Sequence, residues 1–318
     1  MAYLALKEFY IILADPCDFV QTFLSLPVAV AGWSIHTNRD TKIYVQPDNV
    51  TSLHEPKDVC PKNQKKPKNS LFLLIVVCSS TSNFAQRIAI RETWGSYKNY
   101  LHFSKIFNAS KEKYKDYNYT YDLYEEVSSK NVNLSLNTVE KYGDVIQEGF
   151  IDSYNNLTLK SIMMLKWVTN NCNDSVRYIL KTDDDMYVNV PNLVQNLKNR
   201  SRVHDSTKGK EVEYLLIGDL ICVLHTIFCS YRYSPRYMYN ARVYPRYLSG
   251  TGYALSAPTA AALYKAAITT KYFHLEDIYI TGKSLNLLLA ITRKPRSIRY
   301  FLESRNFVMG QQKFVVRR

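Results

Sequence analysis

The sequence predicts an α/β fold, and three observations carry that expectation. LFLLIVVC (71–78) is a run of eight apolar residues without alternation, the pattern of a strand buried on both faces of a parallel sheet. A Ser/Thr turn (Ser79 to Ser82) and an amphipathic helix from about Asn83 to Trp94 follow it. Strand, polar turn and helix in that order open an α/β nucleotide-binding unit. The rest of the chain alternates strand-like and helix-like stretches without an internal repeat.

The remaining elements are read in order. Phe19 to Asn38 is a 20-residue uncharged run, long enough to span a bilayer, but its flank carries Lys7, Glu8, Asp15 and Asp18 instead of a basic excess. Residues 40–70, with Pro47, Pro56, Pro61 and Pro67 among lysines, read as a connector. The organisation expected is therefore an N-terminal segment with a marginal anchor (1–39), a stem (40–70) and one large domain (71–318). Within that domain, residues 100–143 are expected to be irregular, with a short strand near Tyr121–Leu123. Apolar residues at helical spacing from Val145 to Val168 predict a long core helix. A strand at 178–180, a helix from about Pro191 to Lys198, a strand at Tyr214–Gly218, a glycine-rich loop at 249–252 and a helix from near Ser256 complete the pattern.

The 318 residues carry a net charge of +13, which raises nucleic acid as a partner. Location argues otherwise. Residues 57–68 and 293–318 hold 11 of those charges, and no zinc-finger spacing, RNP-like run or heptad is present, so no nucleic acid is expected. The six cysteines (17, 60, 78, 172, 222, 229) include no C-x-x-C pair; they allow up to three disulfides or free buried thiols. Sequons begin at Asn49, Asn108, Asn118, Asn133, Asn156, Asn173 and Asn199, and this excess points to exposure in the secretory pathway.

Four stretches carry chemistry. Asp183, Asp184 and Asp185 follow directly on an apolar strand, where three adjacent carboxylates call for a divalent cation held by oxygen; a solvated acidic turn is the plainer alternative. Strand alternation sends Asp183 and Asp185 to one side and Asp184 to the other. Arg87 and Arg91 lie four apart on one helix face, able to reach an anion or to make ordinary surface pairs. YPRYLSGTGYALS (244–256) offers Gly250 and Gly252 for close backbone approach, with Tyr247 and Tyr253 as flat walls. LEDIYITG (275–282) places Glu276 beside Asp277, as general bases or as first-turn acids.

Taken in order, these stretches resemble the β-1,3-galactosyltransferase family of Golgi glycosyltransferases. The resemblance runs from about Leu71 to Gly282 and rests on VVCSSTSNFAQRIAIRETWG, YGDVIQEGFIDSYNNLTLKS (142–161), WVTNNC (167–172), KTDDDMYVNV, YPRYLSGTGYALS and EDIYITG. It implies a GT-A fold with a mostly parallel sheet, Mn²⁺, and a donor such as UDP-galactose or UDP-N-acetylglucosamine. It also implies a glycan acceptor and a type II protein of the Golgi membrane. Asp185, with Asp183, is then the metal side of a DxD-type motif, and Asp183 and Asp184 face the donor. Arg87, Arg91, Trp94, Tyr247, Gly250 and Gly252 flank the donor, and Asp277 is the general base with Glu276 next to it. One base without a covalent nucleophile implies single displacement with inversion. Beyond Gly282 the chain departs from the pattern: residues 283–318 form a short basic stretch lacking the Cys and metal-binding His such enzymes carry. His274 is either a replacement ligand or, more simply, an ordinary exposed histidine. The competing reading is an inactive homologue that binds sugar nucleotide or glycan without turnover.

Overall fold

The computed structural model describes residues 30, 32–56, 59–60, 71–96, 119–126, 141–172, 174–208, 212–224, 232–292, 298–302 and 308–311. Most of the anchor window, residues 19–29 and 31, and most of the stretch expected to be irregular, residues 100–118 and 127–140, lie outside them. Among the described residues no helix is long and apolar enough to cross a membrane.

The apolar run of residues 71–78 forms β2 (Leu71–Ser79), with every residue buried except the half-buried Phe72. It lies inside an eight-stranded sheet with β1 (Ser52–His54), β3 (Tyr119–Glu126), β4 (Val145–Glu148), β5 (Val176–Asp183), β7 (Tyr214–Ile221), β8 (Tyr247–Ser256) and β9 (Ile298–Leu302). The order across the sheet is β1-β4-β3-β2-β5-β8-β7-β9. Neighbours β4·β3, β3·β2, β2·β5 and β7·β9 run parallel, while β1·β4, β5·β8 and β8·β7 are antiparallel. The α/β class with a mostly parallel sheet is thus the one expected.

Helices cover both faces. Alternate residues Leu73, Ile75 and Val77 of β2 and Tyr178 and Leu180 of β5 pack with Ile90 of α2 (Phe84–Glu92) and with Leu193, Val194 and Leu197 of α4 (Val190–Lys208). Across the sheet, α3 (Leu157–Cys172) and α5 (Ala257–Ala267) pack on each other, α3 against β2 and α5 against β5. Each fully buried Leu or Ile here contributes about 1.5–3 kcal/mol relative to exposure. A two-stranded sheet pairs β6 (Met186–Val188) with β10 (Val308–Gln311). The basic stretch after Gly282, left without elements above, thus supplies α6 (Leu285–Thr292) and two strands.

Two local expectations are corrected. The helix expected over 145–168 begins only at Leu157: Val145–Glu148 is β4, buried throughout and parallel to β3, followed by a 3₁₀ turn at Tyr154–Asn156. Val145 and Ile146 gain more as an internal strand than as a first helical turn. The glycine-rich loop expected at 249–252 lies inside β8, where Gly252 stands opposite Thr182 of β5. Glycine within a strand marks close approach by another group. The stretch expected as a connector also gains structure: α1 (Thr41–Val45) and β1, with Lys166 of α3 donating to the carbonyls of Val45, Gln46 and Asn49.

Cys60 is bonded to Cys172, the C-terminal residue of α3; Cys78 is free and buried, Cys222 free and exposed. The bridge closes a separation of 112 residues. Cys172→Ser should therefore lower stability by about 2–5 kcal/mol, read as a fall in the urea midpoint; an unchanged midpoint would show that the link does not hold the fold.

The chain divides into two compact units, residues 1–38 with 222–245 and residues 39–221 with 246–318. In the smaller one, the Tyr237 hydroxyl donates to the Trp33 carbonyl (2.8 Å) and the Tyr244 amide to Leu224 (3.0 Å). All residues of the candidate site belong to the larger unit.

Candidate functional site

Strand β5 ends at Asp183, and the alternation expected there is seen between Asp183 and Asp184, while Asp185 already lies in the turn beyond. Asp183 shares a side with Lys181, whose Nζ donates to its Oδ1 at 2.7 Å. Asp184 turns the other way, and its Oδ2 accepts from the Ser79 hydroxyl (2.7 Å) and the Asn83 amide (2.8 Å). Burial raises the Asp184 carboxyl, and those two donors partly offset it. Asp185 stands in the turn after β5, half-buried. Burial and then the Asp183 charge raise its carboxyl. A carboxylate pair whose repulsion raises one member favours a cation beside it.

Lys181 is the centre of a second group. Its side chain is fully buried, and Nζ also donates to the Gly250 carbonyl of β8 (2.8 Å) and lies 3.7 Å from Glu276 Oε2. Burial alone would lower its pKa, but Asp183 and Glu276 outweigh that and raise it, so the ammonium stays charged. Glu276 Oε1 accepts from the Tyr253 hydroxyl at 2.9 Å. Burial raises Glu276, and Lys181 opposes the shift. Asp277, 5% exposed, caps the π-helical turn Ile278–Ser284 by accepting the Ile278 amide on Oδ1 (2.9 Å). Thr281 of that turn donates to the Asp277 carbonyl (2.7 Å) and accepts the Leu248 amide of β8 (2.8 Å). A π-helical turn at such a place often marks a functional position.

The fold therefore brings Asp183, Gly250, Glu276 and Asp277 together around Lys181. The other expected residues are placed differently. Arg87 is buried and turns inward, donating to the Ser79 hydroxyl (3.1 Å) and to the carbonyls of Ser80 and Thr81. It thereby organises the loop between β2 and α2, which Lys160 also holds through the Ser79 carbonyl (2.9 Å). Arg91 is bidentate on Asp144 (2.9 and 2.7 Å) and stacks over the Tyr142 ring. Trp94 packs in the apolar core with Ile90. Tyr247 is buried opposite Ile221 at the start of β8. His274, expected to be exposed, is 4% exposed and packs beside Phe273; the short segment leading to Glu276 is drawn into the core. Among the described residues no three or more His, Cys, Asp or Glu side chains are grouped to hold a metal ion.

A sequence model of the galactosyltransferase family matches residues 85–295. The chain belongs to that family. The match takes in the strand-end carboxylates, both strand glycines and the Glu276–Asp277 pair. Among curated relatives, human beta-1,3-galactosyltransferase 1 is 34% identical over 226 residues, covering 68% of this chain and 60% of the relative. Human UDP-GalNAc:beta-1,3-N-acetylgalactosaminyltransferase 1 is 30% identical over 314 residues, 95% of this chain and 84% of the relative. The chain thus spans less than two-thirds of beta-1,3-galactosyltransferase 1. Among solved structures, S. aureus TarS 1-349 aligns at a TM-score of 0.37 and 13% identity, over 75% of this chain and 60% of TarS.

In this galactosyltransferase-family chain, Lys181, Ser79, Asn83 and Lys160 carry site contacts that no sequence motif pointed to. A lysine two residues before the carboxylate run was the available signal, since alternation puts it beside Asp183. Gly250 is a sharper case. A Cβ there would stand 3.3 Å from Glu276 Oε2 and 3.5 Å from Asp277 Cβ. Gly250→Ala should displace the acid pair by a few tenths of an ångström and lower turnover about tenfold, with a smaller change in melting temperature. Wild-type turnover in that variant would show that the close approach is not needed.

Proposed function

We propose that the chain is an inverting hexosyltransferase that moves galactose or N-acetylglucosamine from a UDP-sugar to a glycan acceptor, forming a β-1,3 linkage. The single observation that carries this reading is the junction at Lys181, where Asp183 at the end of β5 and the turn carrying the Glu276–Asp277 pair meet through one buried ammonium. Leaving diphosphate and attacking hydroxyl need opposite treatment: one needs charge neutralised, the other needs a proton taken. This site offers carboxylates for both tasks.

Asp183 and Asp185 suit Mn²⁺, being hard oxygen donors two residues apart, at the end of β5 and in the turn after it. When bound, the ion would supply charge neutralisation at the diphosphate. With only two protein carboxylates on offer, the nucleotide and water would complete its shell. Asp277 takes the proton of the acceptor hydroxyl as general base. Glu276 is less suited, because its Oε2 is ion-paired with Lys181 at 3.7 Å and its Oε1 accepts from the Tyr253 hydroxyl. Asp184 and Arg87 serve the donor indirectly, by fixing the β2–α2 loop.

The names of the relatives support galactose and add N-acetylgalactosamine as a donor to try. The proposed setting is the Golgi membrane, with a type II anchor and a lumenal catalytic domain. The Cys60–Cys172 bridge, which needs an oxidising compartment, supports it, as do the exposed sequon residues Asn49 and Asn199. The test is UDP release from UDP-Gal, UDP-GlcNAc and UDP-GalNAc with Mn²⁺, with and without glycan acceptors. Acceptor-dependent release is expected. Tight UDP binding without turnover on any pair would favour the inactive homologue instead.

A further inference from the structure

A buried ammonium is costly, and it persists in a fold only when partners on several sides compensate it. Lys181 meets that condition through three separate segments: Asp183 on its own strand, the Gly250 carbonyl on β8, and Glu276 in the turn before the π-helix. Two of these do not need it. Asp183 is two residues away, and β8 is already registered on β5 by the backbone pairs Lys181–Tyr253 and Thr182–Gly252. The turn carrying Glu276 and Asp277 is not a strand and has no ladder to β5. The side chain of Lys181 is what reaches it from the carboxylate end.

We propose that Lys181 is a positioning residue for transfer: it ties Asp183 to the Glu276–Asp277 pair and so sets the span between the donor end and the proton-accepting end of the site. The proposal rests on the glycosyltransferase reading above and gives Lys181 no contact with substrate. Its signature is an asymmetry. Removing the ammonium releases Asp183 as an uncompensated carboxylate, which holds a divalent cation at least as well. The same change leaves Glu276 with an unbalanced charge beside Asp277, and the acid pair shifts. Misplacement of about an ångström at a reacting centre costs up to ~10²-fold.

The experiment compares the full chain, Lys181→Met and Lys181→Met/Glu276→Gln. Melting temperature, UDP affinity in Mn²⁺ and kcat at saturating donor and acceptor are measured for each. Met keeps the length of the Lys stem, and the double variant removes both charges of the pair. For the single variant, UDP affinity at or above wild type is expected, with kcat down about 10–100-fold. The double variant should recover several-fold of that kcat and part of the lost melting temperature, because partners in contact are coupled. A single variant within twofold of wild-type kcat overturns the proposal. So does parallel loss of affinity and kcat, the mark of a merely structural lysine, or a double variant no better than the single. If the single variant does not fold, the double decides. Folded, with wild-type UDP affinity and reduced kcat, it supports the tie; unfolded, it makes Lys181 a core residue and overturns it. A wild-type chain that transfers no sugar fails the function reading instead, while the melting-temperature cycle still reports whether residues 181 and 276 are coupled.

Discussion

Asp277→Asn is expected to lower glycosyl transfer by roughly 10²–10⁴-fold while leaving UDP affinity nearly unchanged. Asn keeps an acceptor oxygen for the Ile278 amide, so the π-helical turn retains its cap. What it loses is the capacity to take a proton from the attacking hydroxyl. Glu276 does not replace it, because its oxygens face Lys181 and the Tyr253 hydroxyl. Measuring kcat beside UDP affinity by calorimetry separates the two roles. Loss of UDP binding in this variant would make Asp277 structural and bring Glu276 forward.

The second large effect belongs to the metal side. Asp185→Ala should abolish Mn²⁺-dependent UDP binding, seen by calorimetry with and without chelator. Burial and then the Asp183 charge raise the Asp185 carboxyl, and no hydrogen-bonding side chain holds it among the described residues. Asp183 alone, with one oxygen on Lys181, offers too little to retain the ion. The same reasoning gives the wild-type chain weak Mn²⁺ affinity until UDP is added. Equal UDP affinity in mutant and wild type would remove Asp185 as a ligand. Micromolar Mn²⁺ binding without nucleotide would mean a further protein ligand.

Much of the fold was legible because burial leaves a mark on composition. β2 and the centre of β5 are covered on both faces, and nothing but apolar residues suits them there. Val145–Glu148 was not legible for the converse reason. A four-residue strand ending in Gln147 and Glu148 carries little pattern, and its two apolar residues fell into phase with those of the helix that follows. Gly250 and Gly252 were read as a loop because glycine is commonest there; at Gly250 the nearby Glu276 and Asp277 explain why β8 carries a glycine.

Within the site, residue types announced themselves but partners did not. Three adjacent aspartates and a Glu-Asp pair were visible as chemistry, whereas Lys181 is a residue type that normally lies in water. Its burial depends on Gly250, 69 residues along the chain, and on Glu276 beyond that. Arg87 shows the same limit. An arginine donating to loop carbonyls and one reaching toward a phosphate look alike in sequence, and only the folded loop distinguishes them.

The most direct test of the account is the anomeric configuration of the sugar transferred by the purified chain. UDP-galactose, Mn²⁺ and a glycan acceptor would be supplied, and the new linkage followed by proton NMR from the first turnovers. A single displacement with Asp277 as base converts the α-linked donor into a β-linked product and makes no covalent enzyme–sugar intermediate. A β-anomeric doublet that appears at once, and is lost in Asp277→Asn, is the predicted result. An α-linked product, or a trapped glycosyl-enzyme, would contradict it.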